Sequence, residues 1–373
     1  MLTIGDAIAN LPFGSKAVST PVLRVLMTSR EMFTVLSERH LEVVLAVVYE
    51  YIKTGEPIGS RTISRKYLRD RSAATIRNEM ADLEEMEYLY QPHTSAGRIP
   101  TPRAYRVYVD AILRRQRSFP LEDDLWVREL RARRKDAEEA LVYATRLLGK
   151  ITSYIGVAAL GPVSETVLQR VEFVRMGHRT LLILLVLKGG LIHHKTVTLP
   201  CDMTQEALDE LSRRVSVVAV GRSWKDVRGV LQSYVEDALE KYAENCRSAI
   251  SEMDGIMMDQ TFQFFTGGTH NVLGMPDFSD LGRLQAIMAL LEEGESMSKL
   301  VNDCSAEQGL CITIGDENPV FQMRDCSIVM ASAKTGGRKA VVGLIGPVRM
   351  DYERSISVLE GILDTLSADV EVE

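Results

Sequence analysis

Cysteine and tryptophan are scarce in this chain of 373 residues, which has five Cys and two Trp. Cys201, Cys246, Cys304, Cys311 and Cys326 are scattered and include no Cys-x-x-Cys pair, so a disulfide framework or a thiolate zinc site is not expected. Long apolar runs are missing as well. The strongest, Leu181 to Leu187, is far shorter than the ~20 residues a membrane-spanning helix needs, and reads as a buried strand. The first thirty residues hold Arg24 and Arg30 but no compact apolar stretch followed by a small-residue cleavage site, so a cytoplasmic protein is expected. Catalytic signatures are lacking too: there is no Gly-x-Ser-x-Gly and no His-Glu-x-x-His. His193 and His194 are adjacent on a predicted strand and so point to opposite faces, a poor start for a metal site. Thr335-Gly336-Gly337-Arg338-Lys339 lacks the spacing of a phosphate-binding loop and reads as a hairpin turn. The expectation is a protein that is not an enzyme and takes no cofactor or metal.

What is present is an ordinary globular composition, 46% hydrophobic and 25% charged, over a length that suits two or three domains. The net charge of −7 is unevenly spread, because Ser60 to Arg117 carries twelve Lys/Arg against seven Asp/Glu, a local +5 that leaves −12 elsewhere. One basic segment sits on an acidic body, and such a segment favours a polyanionic partner. Leu41, Val44, Leu45, Val48 and Ile52 recur at helical spacing, so a helix is predicted over 37–53 with Ser37 as its cap and an end near Gly55 and Pro57. Ser60 is expected to cap a short second helix, and Ser72 a third that runs to about Met86. Tyr90 to Pro100 has prolines near both edges and Gly97 near its tip, which suits a β-hairpin. A connecting helix is predicted over 103–117 and a further one over 125–148.

Strands are predicted at 153–160, 168–176, 180–187 and 191–199, with Lys188-Gly189-Gly190 as a turn. Residues 204–258 read as largely helical and 280–300 as one helix. Strands resume at 310–314, 326–332 and 339–345 before a closing helix over 352–366. A strand set interrupted by helices and then resumed suggests an α+β domain with another domain inserted into it, two successive small domains being the alternative.

In the third predicted helix Ala73, Ile76, Met80 and Leu83 share one face, while Ala74, Asn78 and Ala81 point the other way, flanked by Thr75 and Arg77. A small, polar face of this kind can enter a DNA major groove ~12 Å wide, where Asn pairs with adenine edges and Arg with guanine edges. Arg71 and Arg77 stand near its N-terminal end, and Asp82, Glu84, Glu85 and Glu87 crowd its C-terminal end. That order opposes the helix dipole and is read as docking by the first turn. Arg61, Arg65, Lys66, Arg69 and Arg71 precede the helix and a hairpin bearing His93, Thr94, Ser95 and Arg98 follows it, so phosphates can be gripped on both sides. Three short helices with one polar face would also suit an ordinary helical subdomain. Arg103, Arg106, Arg114, Arg115 and Arg117 are read as solvating the connecting helix in preference to touching flanking phosphates.

The runs Tyr51 to Thr62, Ser72 to Glu84 and Pro92 to Thr101 closely resemble the heat-inducible transcription repressor family HrcA. The likeness weakens through the body and sharpens again at Gly315-Asp316-Glu317-Asn318-Pro319 and over Ile345 to Tyr352. The resemblance implies a winged helix-turn-helix DNA-binding domain at 37–110, with Ser60, Arg61, Thr62, Ser72, Ala74, Thr75, Arg77, Asn78, His93, Thr94, Ser95 and Arg98 as the DNA-binding residues. It implies a GAF-like domain at 111–203 and 303–373, and an inserted dimerisation domain at 204–302. Residues 1–36 depart from the family pattern and are read as an extension.

By the same resemblance, the chain would repress chaperone operons by binding an inverted-repeat operator called CIRCE on double-stranded DNA. The GroE chaperonin would keep it active. An inverted repeat calls for a two-fold protein, hence a homodimer. The pairing surface is expected within 204–302, where Phe262, Phe264, Phe265, Val272, Leu273 and Phe278 crowd a Gly-rich stretch, although these side chains could equally fill a core. Two other classes compete. In one, the GAF-like domain senses a small molecule that sets DNA affinity; in the other, an enzyme carries the helix-turn-helix as an interaction module.

Overall fold

The structure, a computed structural model, describes residues 36–114, 125–134, 136–162, 166–188, 192–222, 224–238, 240–258, 262–278, 280–305, 309–335 and 338–367. The predicted N-terminal extension, Arg115 and Arg117, and parts of the turns at 188–190 and 335–339 lie outside these residues. The first helix, α1 (Glu38–Thr54), begins where Ser37 accepts a hydrogen bond from the His40 N–H, and ends at Gly55 with φ of 70°. Helix α2 (Ser60–Lys66) starts after Gly59, an extended residue with no side-chain cap, so Ser60 is the first helical residue and not the cap. Helix α3 (Ala73–Glu85) is capped by Ser72 as predicted. A short hairpin, β1 (Leu89–Tyr90) and β2 (Ile99–Pro100), leads into α4 (Pro102–Arg114).

Two further helices follow, α5 (Leu125–Arg133) and α6 (Ala137–Thr152). The single helix predicted over 125–148 is broken because Asp136 turns extended and accepts hydrogen bonds from the Glu138 and Glu139 N–H groups, starting a new helix. Strand β3 (Ile155–Leu160) then joins a five-stranded antiparallel sheet with four strands from far along the chain: β7 (Gln263–Gly267), β8 (Leu310–Ile314), β9 (Cys326–Thr335) and β10 (Arg338–Pro347), in the order β7-β3-β10-β9-β8.

Alternation along the central strands decides the layers. Ala340, Val342 and Leu344 of β10 join Val329 and Ala331 of β9 in a core with α6 and the closing helix α12 (Tyr352–Ser367). Val341 and Ile345 face the other way, toward α10 (Leu281–Glu292) and α11 (Gly294–Ser305). The helix predicted over 280–300 is therefore two, separated at the extended residue Glu293. The first of these cores also contains Val44, Val48, Met80, Leu83, Tyr105 and Val109, so α1, α3 and α4 are packed onto the body rather than tethered to it.

Strands β4 (Leu168–Gly177), β5 (Thr180–Leu187) and β6 (Ile192–Thr198) form a separate three-stranded antiparallel sheet. With α7 (Gln205–Ala219), α8 (Trp224–Ala238) and α9 (Ala243–Met257) they enclose a core of their own, in which buried Trp224 donates to the Asp254 carboxylate at 2.8 Å. The unit with its own sheet and core thus runs from Leu168 to Met257. The cause is that β4 to β6 pair with one another while β7 pairs with β3. Strand β7 lies outside the predicted strand set, and in it half-buried Phe264 and Phe265 pair with Ala159 and Ala158 at the edge of the larger sheet. Val272 and Phe278 are buried beneath α10 and α11, and only Leu273 of that group stands exposed.

Candidate nucleic-acid interface

The periodicity of α3 translates directly into two faces. Ile76, Met80 and Leu83 are buried against α1, while Ala74, Thr75, Arg77 and Asn78 are exposed on the N-terminal half of the helix. Ser72 holds the first turn, accepting from the Thr75 N–H at 3.1 Å, with the two hydroxyl oxygens 2.9 Å apart. The turn before it is tied down by Ser64, whose hydroxyl donates to the Arg71 carbonyl at 2.7 Å. Arg61 and Thr62 lie on α2, Arg61 exposed and Thr62 half-buried. Ser60 is buried.

The hairpin is fixed to the helices by backbone. Ile58 and Arg98 exchange N–H to carbonyl hydrogen bonds of 2.9 and 2.8 Å, adding a third short extended segment. Gly97 is required there, because a Cβ would stand 2.5 Å from the Ile58 backbone. At the tip the Ala96 N–H donates to the His93 carbonyl, and the Gln91 side-chain amide reaches the Thr94 and Ala96 carbonyls. The His93, Thr94 and Ser95 side chains are left exposed at that tip.

The cations divide into two sets that spacing could not distinguish. Lys66 pairs with the buried carboxylate of Glu50, which also accepts from the Tyr67 hydroxyl. Burial opposes ionisation of Glu50, but these two hydrogen bonds outweigh it and hold its pKa below the usual 4.5. Arg71 pairs with Glu42 of α1, with the Glu79 carboxylate of α3 3.6 Å away. Arg98 reaches Glu84 at 2.7 Å. Among the described residues no ion pair holds Arg61, Arg65, Arg69 or Arg77, and all four are exposed. Arg98, expected as a phosphate contact, thus pairs with a carboxylate of α3, and Lys66 and Arg71 brace α2 and α3 against α1.

The acids at the C-terminal end of α3 have partners of their own. Asp82 lies 3.6 Å from His40, Glu84 pairs with Arg98, and Glu87 pairs with Arg103 at 2.9 Å. Arg106, read from sequence as a solvating residue, is largely buried and donates to Glu317 and to the Ile312 carbonyl. Glu50 and Glu79 are buried as well, and nothing in the local sequence pattern signals it.

A family model described as the HrcA protein C terminal domain matches residues 138–356. The repressor of Moorella thermoacetica named heat-inducible transcription repressor HrcA is 37% identical over 343 residues, covering 90% of this chain and 98% of that protein. The protein of the same name from Desulforamulus reducens is 34% identical over 334 residues, covering 89% and 96%. The chain belongs to the HrcA family. An HrcA protein is a heat-inducible transcription repressor, a negative regulator of heat-shock transcription and not an enzyme. A crystal structure titled as that of a hypothetical protein superposes with a TM-score of 0.58 at 22% identity, covering 89% of this HrcA chain and 98% of that one, and shows a shared fold. Among the described residues no helix is long and apolar enough to cross a membrane.

Proposed function

We infer that the chain acts in the cytoplasm as a dimeric repressor whose residues 37–110 form a winged helix-turn-helix on double-stranded DNA. In this reading the exposed edge of α3 enters the major groove, with Arg77 and Asn78 at base edges and Ala74 permitting close approach. Arg61 and Thr62 of α2, the capping pair Ser72 and Thr75, and the hairpin residues His93, Thr94 and Ser95 meet backbone phosphates. Ser60 and Arg98 support this surface from behind. The observation that carries the reading is the division of α3: four exposed polar or small residues in its first two turns, beside arginines that no carboxylate among the described residues neutralises.

The target is an inverted-repeat operator of the CIRCE type, and a two-fold operator calls for two copies of the chain. The three-stranded unit supports the pairing better than the stretch around Phe262 to Phe278. Its helices cover the sheet face bearing Leu181, Ile183, Leu185 and Leu187, while the opposite face carries half-buried Leu182, Leu184 and Val186 beside exposed Val174 and Ile192. The larger sheet with its helices is the GAF-like domain of this reading, and the GroE chaperonin is the partner that keeps the repressor active.

The test is a binding titration on the operator and on a scrambled duplex, with and without chaperonin. Asn78→Ala or Arg77→Ala should cost ~1–3 kcal/mol of discrimination between the two duplexes. Equal losses on both would remove these residues from base readout, and a parent chain that ignores both duplexes in dilute salt would sink the reading.

A further inference from the structure

Among the described residues no hydrogen bond or ion pair joins the two body segments in which the family likeness sharpens, 315–319 and 345–352, to an exposed residue of α3 or of the hairpin tip. Each supplies a charged side chain or a polar clasp where α1 and α4 meet the body. Arg106 of α4 donates through Nε to Glu317 Oε1 at 2.8 Å and through its second amine to the other carboxylate oxygen. The same guanidinium reaches the Ile312 carbonyl of β8 at 2.7 Å, with Asp110 at 3.7 Å. Glu317 is itself held, accepting from the Ile314 N–H at 2.9 Å. Its turn is braced by buried Asn318, whose amide lies within 2.9 Å of the Gly315, Met323 and Cys326 carbonyls.

The second clasp lies at the end of α1. Arg349 donates to Asp277 at 2.6 Å, and its guanidinium packs so closely on Gly55 that a Cβ there would stand 2.9 Å away. Gly55 also has φ of 70°, so its backbone and its lack of a side chain are both used at this contact. Burial disfavours the Arg106 charge, yet Glu317 and Asp110 outweigh it and keep the guanidinium protonated.

We propose that the Arg106–Glu317 and Arg349–Asp277 clasps are positioning devices that set the angle of the DNA-binding helices on the body, and thereby the spacing of two recognition helices across a dimer. The inference rests on the DNA-binding and dimeric reading above. Its physical basis is that joining two binding modules raises affinity only while their geometry allows both to engage together. A hydrophobic contact alone tolerates small rotations; the bidentate Arg106–Glu317 pair does not, and the single Arg349–Asp277 bond holds a guanidinium in place against Gly55. The clasps touch neither bases nor phosphates, so their loss should leave one-site binding intact and damage two-site binding.

The experiment compares Glu317→Ala and Asp277→Asn with the parent on three duplexes: the full inverted repeat, a single half-site, and a repeat whose spacer is lengthened by half a helical turn. Glu317 and Asp277 are both partly exposed, and thermal melting checks that the variants fold. Each variant should bind the full repeat about tenfold or more weaker while half-site affinity stays within about twofold, and should discriminate less between the two spacers. Full-repeat affinity within about twofold of the parent would overturn the proposal, as would equal losses on repeat and half-site. A parent that binds no duplex would instead overturn the DNA-binding reading itself.

Discussion

The helical unit proposed to face DNA and the three-stranded unit solve opposite surface problems. In the first, α1, α3 and α4 share a core with the body, and the first two turns of α3 with the start of α2 leave a small, polar and cationic patch uncovered: Ala74, Thr75, Asn78, Arg61 and Arg77. In the second, a private core is closed on one sheet face only, and apolar side chains such as Val174, Ile192, Val217 and Val230 stay in contact with water. The first surface suits a polyanion and the second suits another protein surface. The difference teaches that a charged patch is defined less by how many cations a segment carries than by how many its own carboxylates leave unpaired.

The sharpest way to break the comparison is to place a charge on the apolar sheet face. Ile192→Glu should raise the dimer dissociation constant by about a hundredfold in sedimentation experiments while leaving the melting temperature nearly unchanged, because Ile192 is 57% exposed in the single chain. An unchanged dissociation constant would move the pairing surface elsewhere.

A smaller effect separates buried from exposed acids. Glu50→Gln should lose ~2 kcal/mol of stability at pH 7, the scale of hydrogen bonds to a charged group. Because the folded-state pKa of Glu50 is depressed, its contribution is complete above 4.5 and disappears as the pH falls below that value, so variant and parent should converge in acid. Asp202 of the three-stranded unit also has a depressed pKa, from the Arg179 backbone N–H and the Arg175 side chain, but it lies at the surface, with about a third of its side chain open to solvent. Asp202→Asn should therefore change little at any pH once salt is added. Denaturant titrations from pH 3 to pH 7 would check both; a persistent Glu50→Gln deficit in acid would refute the assignment.

The smallest effect tests paired against unpaired cations within the DNA-facing unit. Arg61→Ala should reduce the slope of log affinity against log salt by ~1, one phosphate contact. Arg98→Ala should leave that slope unaltered and loosen the hairpin, because its partner is Glu84. Equal slope changes would mean that Arg98 leaves Glu84 when DNA binds.

Much of the DNA-facing unit was legible before any coordinates. Helical spacing of Leu41 to Ile52, the caps at Ser37 and Ser72, and the inward and outward faces of α3 all follow from interactions within a few residues. The limits of α5, α6, α10 and α11 were less so. There an Asp at 136 or an extended Glu at 293 interrupts an apolar repeat that continues past it, and periodicity does not register the break.

By itself, then, the order of residues determined which segments coil, which faces are apolar, and where a basic stretch precedes a helix with a small, polar face, because those properties depend on near neighbours along the chain. Only tertiary structure decided that β3 pairs with β7 and β10, that Lys66, Arg71 and Arg98 are neutralised, and that Arg106 meets a carboxylate 211 positions away. Ion pairs and sheet registers join groups that are distant in sequence, and their partners exist only once the intervening chain has folded.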